Sequence, residues 1–468
     1  MTTPSASAEK LFYEALQVME QGDLAAAENG FRQTLLLAPT LSEAHANLGY
    51  LLDSQGRHQE AEESYRQALA LSPTQVQTYI NLGALLESQQ RFDEAEVAYQ
   101  SALAIDPESA AAWSNLGVLM TCMKRETEAE RCFRSALELA PDYQKASFNL
   151  AHLLLRQGRY EEGWRHMESR DWYAQIAKHL GMPRWQGEAL AGKAILIGLE
   201  AGHGDMIQFC RYGKLLKEQG ARRVSVLCHP PLKTLFQNLA GIDEAIAVGD
   251  PDPGIAWDYW TPPISQPYYL GTRLDTIPAE LPYLRVAPDK VAAWRAVMGD
   301  SGDALRVGLV WKGNPRFEND AYRSLGSLRE LAPLSDVAGI RYFSLQKGAG
   351  EDEAASAVSP FAITPLGADI ADFSDTAAIM MNLDLVIAVD TAAAHLAGAL
   401  GRPCWVLLPD YKTDWRWLAE RSDSPWYPRV MRLFRQGATG SWAPVIAELK
   451  KALADLVKQR SQAIASGP

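Results

Sequence analysis

The residues most able to do chemistry follow a strand of five apolar residues, Leu385–Val389. Asp390 and Thr391 come next, and then Ala392–Leu400, which predicts a helix. Because three small alanines open this helix, the N–H groups of its first turn are accessible and could bind an anion such as a diphosphate. His395 lies four residues after Thr391, on the same helix face, and could reach the same phosphates. The alternative is that Asp390 or Thr391 only caps the helix and that His395 packs against the sheet.

A second candidate carboxylate, Asp205, follows another predicted strand, Ala194–Gly198. It stands at the start of the helical stretch Met206–Leu216. A carboxylate at the mouth of a cleft can act as a general base, and the alternative is that it caps the helix. Gly202 and Gly204 lack the third glycine of a dinucleotide-binding loop, and an aspartate there would repel a pyrophosphate. NAD binding is therefore not expected.

Two cationic side chains, Lys347 and Arg416, are candidates for binding the phosphate groups of a ligand. Lys347 follows the predicted strand Tyr342–Leu345 and could neutralise phosphate charge, although a single lysine after a strand is usually solvated. Arg416 lies in a tryptophan-rich segment, residues 414–428, and could touch phosphate. That segment is expected either to form a packed loop at the rim of a cleft or to fasten the terminal helix. We assign the acidic pair at Asp250 and Asp252 to turn formation, and we expect no metal site.

The first third of the chain repeats every 34 residues. Each period contains an alanine, an aromatic residue four positions later, and a proline, as in Ala61, Tyr65 and Pro73. This is the pattern of a tetratricopeptide repeat, a pair of helices that buries its apolar face against its neighbours. Stacking should align the equivalent asparagines into a ladder that offers amide groups to an extended peptide, although asparagine is common there whatever the repeats bind. The ladder consists of Asn47, Asn81, Asn115 and Asn149.

After about residue 187 the period changes to strand-length apolar runs that alternate with helical stretches. This indicates β-α units around a mainly parallel sheet, in which ligands bind at the carboxyl ends of the strands. Residues 298–304 resemble a linker between two halves. We therefore predict four regions: residues 1–143 as four tetratricopeptide repeats, 144–187 as a capping fifth unit and linker, 188–298 as one α/β domain, and 299–468 as another.

Composition narrows the class of protein. The net charge of −12 over 468 residues lacks the basic field of a general nucleic-acid binder, so no nucleic-acid partner is expected. The five cysteines are scattered, without the close pairs of a zinc site or a disulfide framework. No uninterrupted apolar run of about 18 residues occurs, and the first ten residues do not resemble a signal peptide. We expect a cytoplasmic chain that does not span a membrane.

The stretch from 305 to 436 resembles a known family. Its strings VGLVWKGNP, SLQKG, DLVIAVDTAAAHLAGALGRP, DWRWL and SPWYPRVMRLFRQ are similar to bacterial repeat-containing glycosyltransferases. The catalytic part of those proteins is similar to the heptosyltransferases of glycosyltransferase family 9. The resemblance continues upstream through GHGDMIQFCRY and covers about residues 190 to 440. In layout, repeats fused to a two-domain transferase also resemble the protein O-linked N-acetylglucosamine transferases.

The resemblance implies an α-solenoid followed by an α/β GT-B fold of two Rossmann-like domains. The first domain would serve the acceptor and the second the nucleotide-sugar donor, with an inverting transfer that needs neither a metal nor another cofactor. Carried over by position, Asp205 matches the general base, Thr391 and His395 match the donor-phosphate motif, and Lys347 matches a donor-side lysine.

The leading functional hypothesis is therefore a glycosyltransferase that modifies a protein recruited by the repeats. Two alternatives stay open: an enzyme with a lipid or saccharide acceptor, or a repeat scaffold with a catalytically silent transferase domain.

Overall fold

The computed structural model describes residues 6–170, 174–357 and 359–465. The chain divides into two compact units, Met1–Leu153 and Leu154–Pro468. Each unit is described by itself.

The first unit consists of antiparallel helix pairs, as the repeat pattern predicts. Its helices are α1 (Ala6–Glu20), α2 (Leu24–Leu37), α3 (Ser42–Ser54), α4 (His58–Leu71), α5 (Val76–Ser88), α6 (Phe92–Ile105), α7 (Ala110–Cys122), α8 (Glu126–Leu139) and α9 (Gln144–Arg156), the last of which crosses the boundary between the units.

Close approach between the helices of a pair explains the repeated residues. Ala61 and Tyr65 on α4 are fully buried, and the Tyr65 ring lies against Gly49 on α3. A Cβ at Gly49 would lie 2.7 Å from that ring, closer than van der Waals contact permits. Gly83 stands in the same relation to Tyr99 one repeat later. The glycine and the aromatic residue therefore form one packing unit.

An arginine at the start of the second helix links successive repeats. Arg91 Nη1 donates to Glu62 of the preceding repeat at 2.5 Å, and its Nη2 donates to Glu94 of its own helix at 2.7 Å. Arg57 and Arg125 make the equivalent pairs. These pairs are partly exposed, so they fix the register of the stack more than they stabilise it.

The second unit begins with the end of α9, which is followed by α10 (Tyr160–Met167) and α11 (Ala174–Leu180). A four-stranded parallel sheet follows, in the order β3-β2-β1-β4. Its strands are β1 (Ala194–Ile197), β2 (Arg223–Cys228), β3 (Glu244–Ala247) and β4 (Tyr259–Thr261). The helices around it are α12 (His203–Phe209), α13 (Tyr212–Glu218), α14 (Lys233–Phe236) and α15 (Gln266–Tyr269).

A six-stranded parallel sheet forms the rest of the second unit, in the order β10-β9-β8-β5-β6-β7. Its strands are β5 (Leu305–Val310), β6 (Ile340–Ser344), β7 (Ile363–Pro365), β8 (Leu385–Val389), β9 (Cys404–Leu408) and β10 (Met431–Arg435). Its α-helices are α16 (Pro288–Met298), α17 (Asp320–Arg323), α18 (Glu351–Ala355), α19 (Phe373–Met381), α20 (Ala392–Ala399) and α21 (Ala443–Ala465). Parallel α/β organisation, as expected from the alternating pattern, is therefore confirmed.

The six strands that the apolar runs predict are present, and four further strands in the described residues were missed. The predicted runs are 194–198, 224–228, 307–311, 342–345, 385–389 and 404–408. β4 lies inside a proline-rich stretch, residues 250–267, which interrupts the alternation of apolar runs and helical stretches in the sequence. β7 is three residues long and ends in proline. β3 and β10 complete the edges of the two sheets. Helix α16 lies before the predicted linker, in the region predicted as the first α/β domain. It nevertheless packs on α19 beside the six-stranded sheet, where Trp294 Nε1 donates to Asp375 Oδ1 at 3.0 Å.

One prediction for the tryptophans is wrong. Trp415 and Trp426 do not fasten the terminal helix, because α21 packs on the six-stranded sheet through Val445, Ile446 and Leu449. The Trp426 ring instead stacks on Tyr160 of α10, and its Nε1 donates to the Tyr160 hydroxyl at 3.0 Å. An aromatic cluster of this kind is large enough to order the loop that carries it.

Candidate functional site

The carboxyl ends of the two sheets meet where α12 contacts α20. Gly204, in the first turn of α12, faces the first turn of α20. A Cβ at Gly204 would lie 2.9 Å from Cδ2 of His395 and 3.5 Å from Cα of Ala392, so only glycine permits this approach. The contact brings together three predicted site residues, because Asp205 is next in sequence to Gly204 and Thr391 immediately precedes α20.

Asp205 binds two groups, one through each carboxylate oxygen. Oδ2 accepts the Gly202 N–H at 2.9 Å, and Oδ1 accepts from Nη2 of Arg416. Gly202 is the N-cap that precedes α12, so Asp205 binds the helix end from the third position of the helix and is not itself the N-cap. Burial raises the pKa of the Asp205 carboxyl, and the Arg416 guanidinium opposes that rise.

Arg416 is surrounded by acceptors. Its Nε donates to Gln208 Oε1 at 2.6 Å, and its Nη1 donates to Asp414 Oδ2 at 2.9 Å. The guanidinium also lies over the Trp415 ring, 4.5 Å from its centroid. Arg416 was predicted to bind donor phosphate, whereas in the structure its partners are Asp205, Asp414 and Gln208. The physical reason is that its side chain is only 9% exposed, and a buried cation needs acceptors to replace water.

Asp390 is a second carboxyl of the site whose pKa is raised. Burial and the nearby Asp414 carboxylate raise its pKa to about 6. Its backbone carbonyl accepts from Arg323 Nη1 at 2.9 Å, which fixes the turn between β8 and α20. Thr391 occupies the N-cap position, but its hydroxyl donates to the Val389 carbonyl at 3.3 Å and does not cap the first turn. The first N–H groups of α20 are thus left without a side-chain cap.

His395 is buried and neutral. Its Nδ1 lies 2.9 Å from the Tyr427 hydroxyl, and its ring stacks on Trp417 with centroids 5.4 Å apart. Burial lowers its pKa to about 3, and the Arg416 charge contributes to this shift. The imidazole can therefore offer a hydrogen bond at neutral pH but not a positive charge.

Lys347 lies in the loop after β6, half-exposed. Its ammonium donates to the Gly367 carbonyl at 2.8 Å and lies 3.6 Å from Glu351. Within the part of the chain that the structure describes, no hydrogen bond or ion pair joins Lys347 to Asp390, Thr391 or Arg416. The structure therefore brings Asp205, Arg416, Asp390, Thr391 and His395 together, and leaves Lys347 apart from them.

Sequence reasoning missed a pair of histidines at the carboxyl ends of β1 and β2. The rings of His203 and His229 are 4.6 Å apart, and the His203 ring is 5.1 Å from Phe373. Burial, with a contribution from His229, lowers the pKa of His203 to about 4. The available signal was that His229 directly follows an apolar run, Val224–Cys228, as Asp390 does.

Two buried arginines hold the loops of the site. Arg211, between α12 and α13, donates to the Trp426 carbonyl at 2.8 Å and to the Tyr283 hydroxyl at 2.9 Å. Arg170 donates to Glu200 at 2.5 Å, and both of those side chains are fully buried. Since Glu200 lies in the loop between β1 and α12, Arg170 fixes the loop that leads to Asp205.

The predicted asparagine ladder lies in the first unit. Its four members are half-buried, each on the first helix of a pair: α3, α5, α7 and α9. Asn47 Nδ2 donates to the Glu43 carbonyl at 2.8 Å, and Asn81 Oδ1 accepts from Gln77 at 2.8 Å. These amides therefore have intramolecular partners that a peptide would have to displace.

Asp250 and Asp252 form turns, as expected: Asp250 accepts the Ala247 N–H at 2.7 Å, and Asp252 accepts the Gly254 N–H at 2.8 Å. Over residues 6–170, 174–357 and 359–465, no group of three or more metal-ligating side chains was found. The same residues contain no helix that is long and apolar enough to cross a membrane.

Comparison with known proteins identifies the repeats. A model of the middle TPR-like domain of cilia and flagella-associated protein 70 matches residues 11–130, and a tetratricopeptide-repeat model matches residues 127–163. Together with the helix pairs, these matches confirm the predicted tetratricopeptide repeats at the amino-terminal end.

Among curated proteins, Protein FlbA of Caulobacter vibrioides is 29% identical over 325 residues, or 65% of this chain. The match spans 54% of FlbA, so it corresponds to about half of that relative's length. Because the first unit has only 153 residues, a match of this length extends into the α/β unit.

Solved structures also match. Pseudomonas aeruginosa pilF is 25% identical over 36% of this chain and 75% of its own, with a TM-score of 0.33. A tetratricopeptide repeat protein from Parabacteroides merdae is 25% identical over 37% of this chain and 75% of its own, with a TM-score of 0.32.

Proposed function

We propose that the protein is a glycosyltransferase of GT-B fold that moves a sugar from a nucleotide-sugar donor to an acceptor. The observation that carries the proposal is the contact between α12 and α20 at Gly204. At this contact α12, which carries Asp205, packs against the first turn of α20, which has no side-chain cap. A base on one side and a diphosphate seat on the other are what a direct displacement at an anomeric carbon needs.

In the proposed reaction, Asp205 removes the proton from the acceptor hydroxyl. The acceptor oxygen then attacks the anomeric carbon as the bond from that carbon to the diphosphate oxygen breaks, with inversion. Negative charge develops on the leaving nucleoside diphosphate, and the N-terminus of α20 stabilises it. Thr391 and His395 would donate hydrogen bonds to the phosphates, and Lys347 would approach by leaving the Gly367 carbonyl.

The acceptor is proposed to be a protein that the repeats recruit. Tetratricopeptide repeats present continuous surfaces that suit extended segments of a partner. Asn47, Asn81, Asn115 and Asn149 occupy equivalent positions on successive repeats and remain partly accessible. An amide that exchanges its intramolecular partner for a peptide backbone keeps its hydrogen bonds, so such exchange costs little.

The first experiment is a thermal-shift and calorimetric titration with UDP, GDP, ADP, CDP and dTDP. A nucleotide at about 100 times its dissociation constant should stabilise the protein by roughly 2.7 kcal/mol. Thr391→Ala combined with His395→Ala should weaken that binding, whereas Asp275→Asn, at an exposed position, should leave it unchanged. If all five nucleotides fail to bind at millimolar concentration, the proposal is overturned and a repeat scaffold is favoured.

Transfer is tested by the mass added to co-expressed proteins. Asp205→Asn should keep nucleotide binding and lose transfer, and normal transfer in that variant would remove Asp205 from the role of base. Alanine at the four ladder asparagines should reduce transfer to a protein but leave nucleotide binding intact. If the four-alanine variant transfers sugar normally and the acceptor is a lipid or saccharide, the proposal of a protein acceptor is overturned, while the proposal of a glycosyltransferase stands.

A further inference from the structure

Arg416 is the residue that links the base of the proposed reaction to the six-stranded half of the unit. Two of its acceptors, Asp205 and Gln208, lie on α12, and the third, Asp414, lies on its own turn. Every nitrogen of the guanidinium donates to one of these three side chains. Gln208 is fully buried, so its carbonyl fixes the plane of the guanidinium.

This arrangement opposes catalysis by Asp205. Its two carboxylate oxygens already accept from Arg416 and Gly202, and a carboxylate that accepts such donors has a lowered affinity for a proton. The charged groups that face it are Arg416, Asp414 and Glu200. Without Arg416, burial and the two carboxylates would all raise the pKa of Asp205, towards the range in which a general base is effective.

The turn that carries Arg416 is held in a strained conformation. Lys412 and Leu418, on either side of it, have φ values of 52° and 54°, in the left-handed region that non-glycine residues avoid. Arg435 Nη2 donates to the carbonyls of Trp417 and Leu418 at 2.7 and 2.9 Å, which holds the far end of the turn. Such strain persists where the surrounding contacts enforce it, and it favours rearrangement when one contact is exchanged.

Arg416 also lies within electrostatic reach of the proposed diphosphate seat. Its charge contributes to the lowered pKa of His395 in α20, and it opposes the rise in the pKa of Asp390 just before that helix. A diphosphate carries more negative charge than one carboxylate, and its oxygens suit the planar guanidinium fork. The donor can therefore compete with Asp205 for this cation.

We propose that donor binding transfers Arg416 from Asp205 to the diphosphate, so that the base is released only in the donor-bound enzyme. This inference rests on the proposed function. One ion pair is exchanged for another and no covalent bond changes. Asp205 is then free to take the proton of the acceptor hydroxyl, which orders the reaction with donor first.

The test is proton uptake on nucleotide binding. When Asp205 loses its cation, its affinity for protons rises, so binding at about pH 6 should take up a fraction of a proton at this residue. Calorimetric titration with whichever of the five nucleoside diphosphates binds, in two buffers of different ionisation enthalpy, measures this uptake. Asp205→Asn should lose that part of the uptake, and Asp275→Asn should keep it. Subtracting the Asp205→Asn value removes the proton exchange of the nucleotide itself and of Asp390.

Equal uptake in the natural protein and in Asp205→Asn would overturn the inference and leave the proposed function standing. Failure of all five nucleotides to bind would overturn both. If Asp205→Asn does not fold, Arg416→Gln supplies the same comparison. In that variant Asp205 has already lost its arginine partner before the nucleotide binds. This second variant should bind nucleotide more weakly and show the same loss of uptake, and full uptake in it would also overturn the inference.

Discussion

Replacing Asp390 with asparagine should stabilise the α/β unit, and the gain should grow as the pH rises from about 4 to about 7. Burial and Asp414 raise the pKa of Asp390 from 3.8 to about 6. Between these values the folded chain binds a proton that the unfolded chain has released, so the unfolding free energy falls as pH rises. At 1.36 kcal/mol per pKa unit, the full loss is about 3 kcal/mol above pH 6. An asparagine at this position has no charge to bury, so the unfolding free energy of the variant does not fall in this way as the pH rises.

Tryptophan fluorescence in urea can follow the α/β unit selectively. Of the 13 tryptophans, only Trp113 lies in the first unit. The unfolding free energy of Asp390→Asn minus that of the natural protein should rise by up to about 3 kcal/mol from pH 4 to pH 7. Asp275→Asn, at a carboxylate that is 76% exposed, serves as the control and should show no such rise. A difference that stays constant with pH would refute the reasoning, because it would mean that Asp390 titrates normally in the folded chain.

Three further substitutions test packing and pairing. Gly204→Ala should weaken nucleotide binding and lower the unfolding free energy by about 1–3 kcal/mol, because its Cβ would lie 2.9 Å from His395. Gly437→Ala, where a Cβ would meet open space, is the control and should have neither effect. Nucleotide titration measures the binding, and urea unfolding measures the stability. Glu200→Gln should lower the unfolding free energy measured in urea by about 1–3 kcal/mol, because buried Arg170 would lose its fully buried carboxylate partner and keep Glu168, at 2.9 Å. Gly83→Ala should destabilise the repeats, measured by helical circular dichroism, because its Cβ would lie 2.5 Å from the Tyr99 ring.

The repeats could be predicted closely because their period is a local property of the sequence. The repeated alanines and aromatic residues recur at the same positions in every unit, so the pattern specifies the packing. The strands β1 and β8 were also readable, since continuous apolar runs are typical of parallel strands buried on both faces. By contrast, β4 has three residues within a proline-rich stretch, and its pairing to β1 depends on contacts that no local pattern encodes.

The candidate site shows the same division. Asp205, Asp390 and Thr391 could be predicted because each follows an apolar run, where the carboxyl end of a strand is expected. The partners of Arg416 could not, since it meets Gln208 and Asp205 across 208 and 211 residues of sequence. Only the fold places these residues together, and that they bind donor or acceptor stays a prediction.

The charges around α20 connect the stability experiment to the proton-uptake experiment. Three carboxylates, Asp205, Asp390 and Asp414, lie near three guanidiniums, Arg416, Arg323 and Arg211, so the cluster has no excess of positive charge when every group is ionised. A diphosphate at this helix end adds further negative charge, and the cluster can offset it by binding a proton or by giving up Arg416. The pH dependence of Asp390→Asn measures the proton site without any ligand. The proton uptake on nucleotide binding can then be corrected for Asp390. The part of the remaining uptake that is lost in Asp205→Asn measures the release of Arg416 from Asp205.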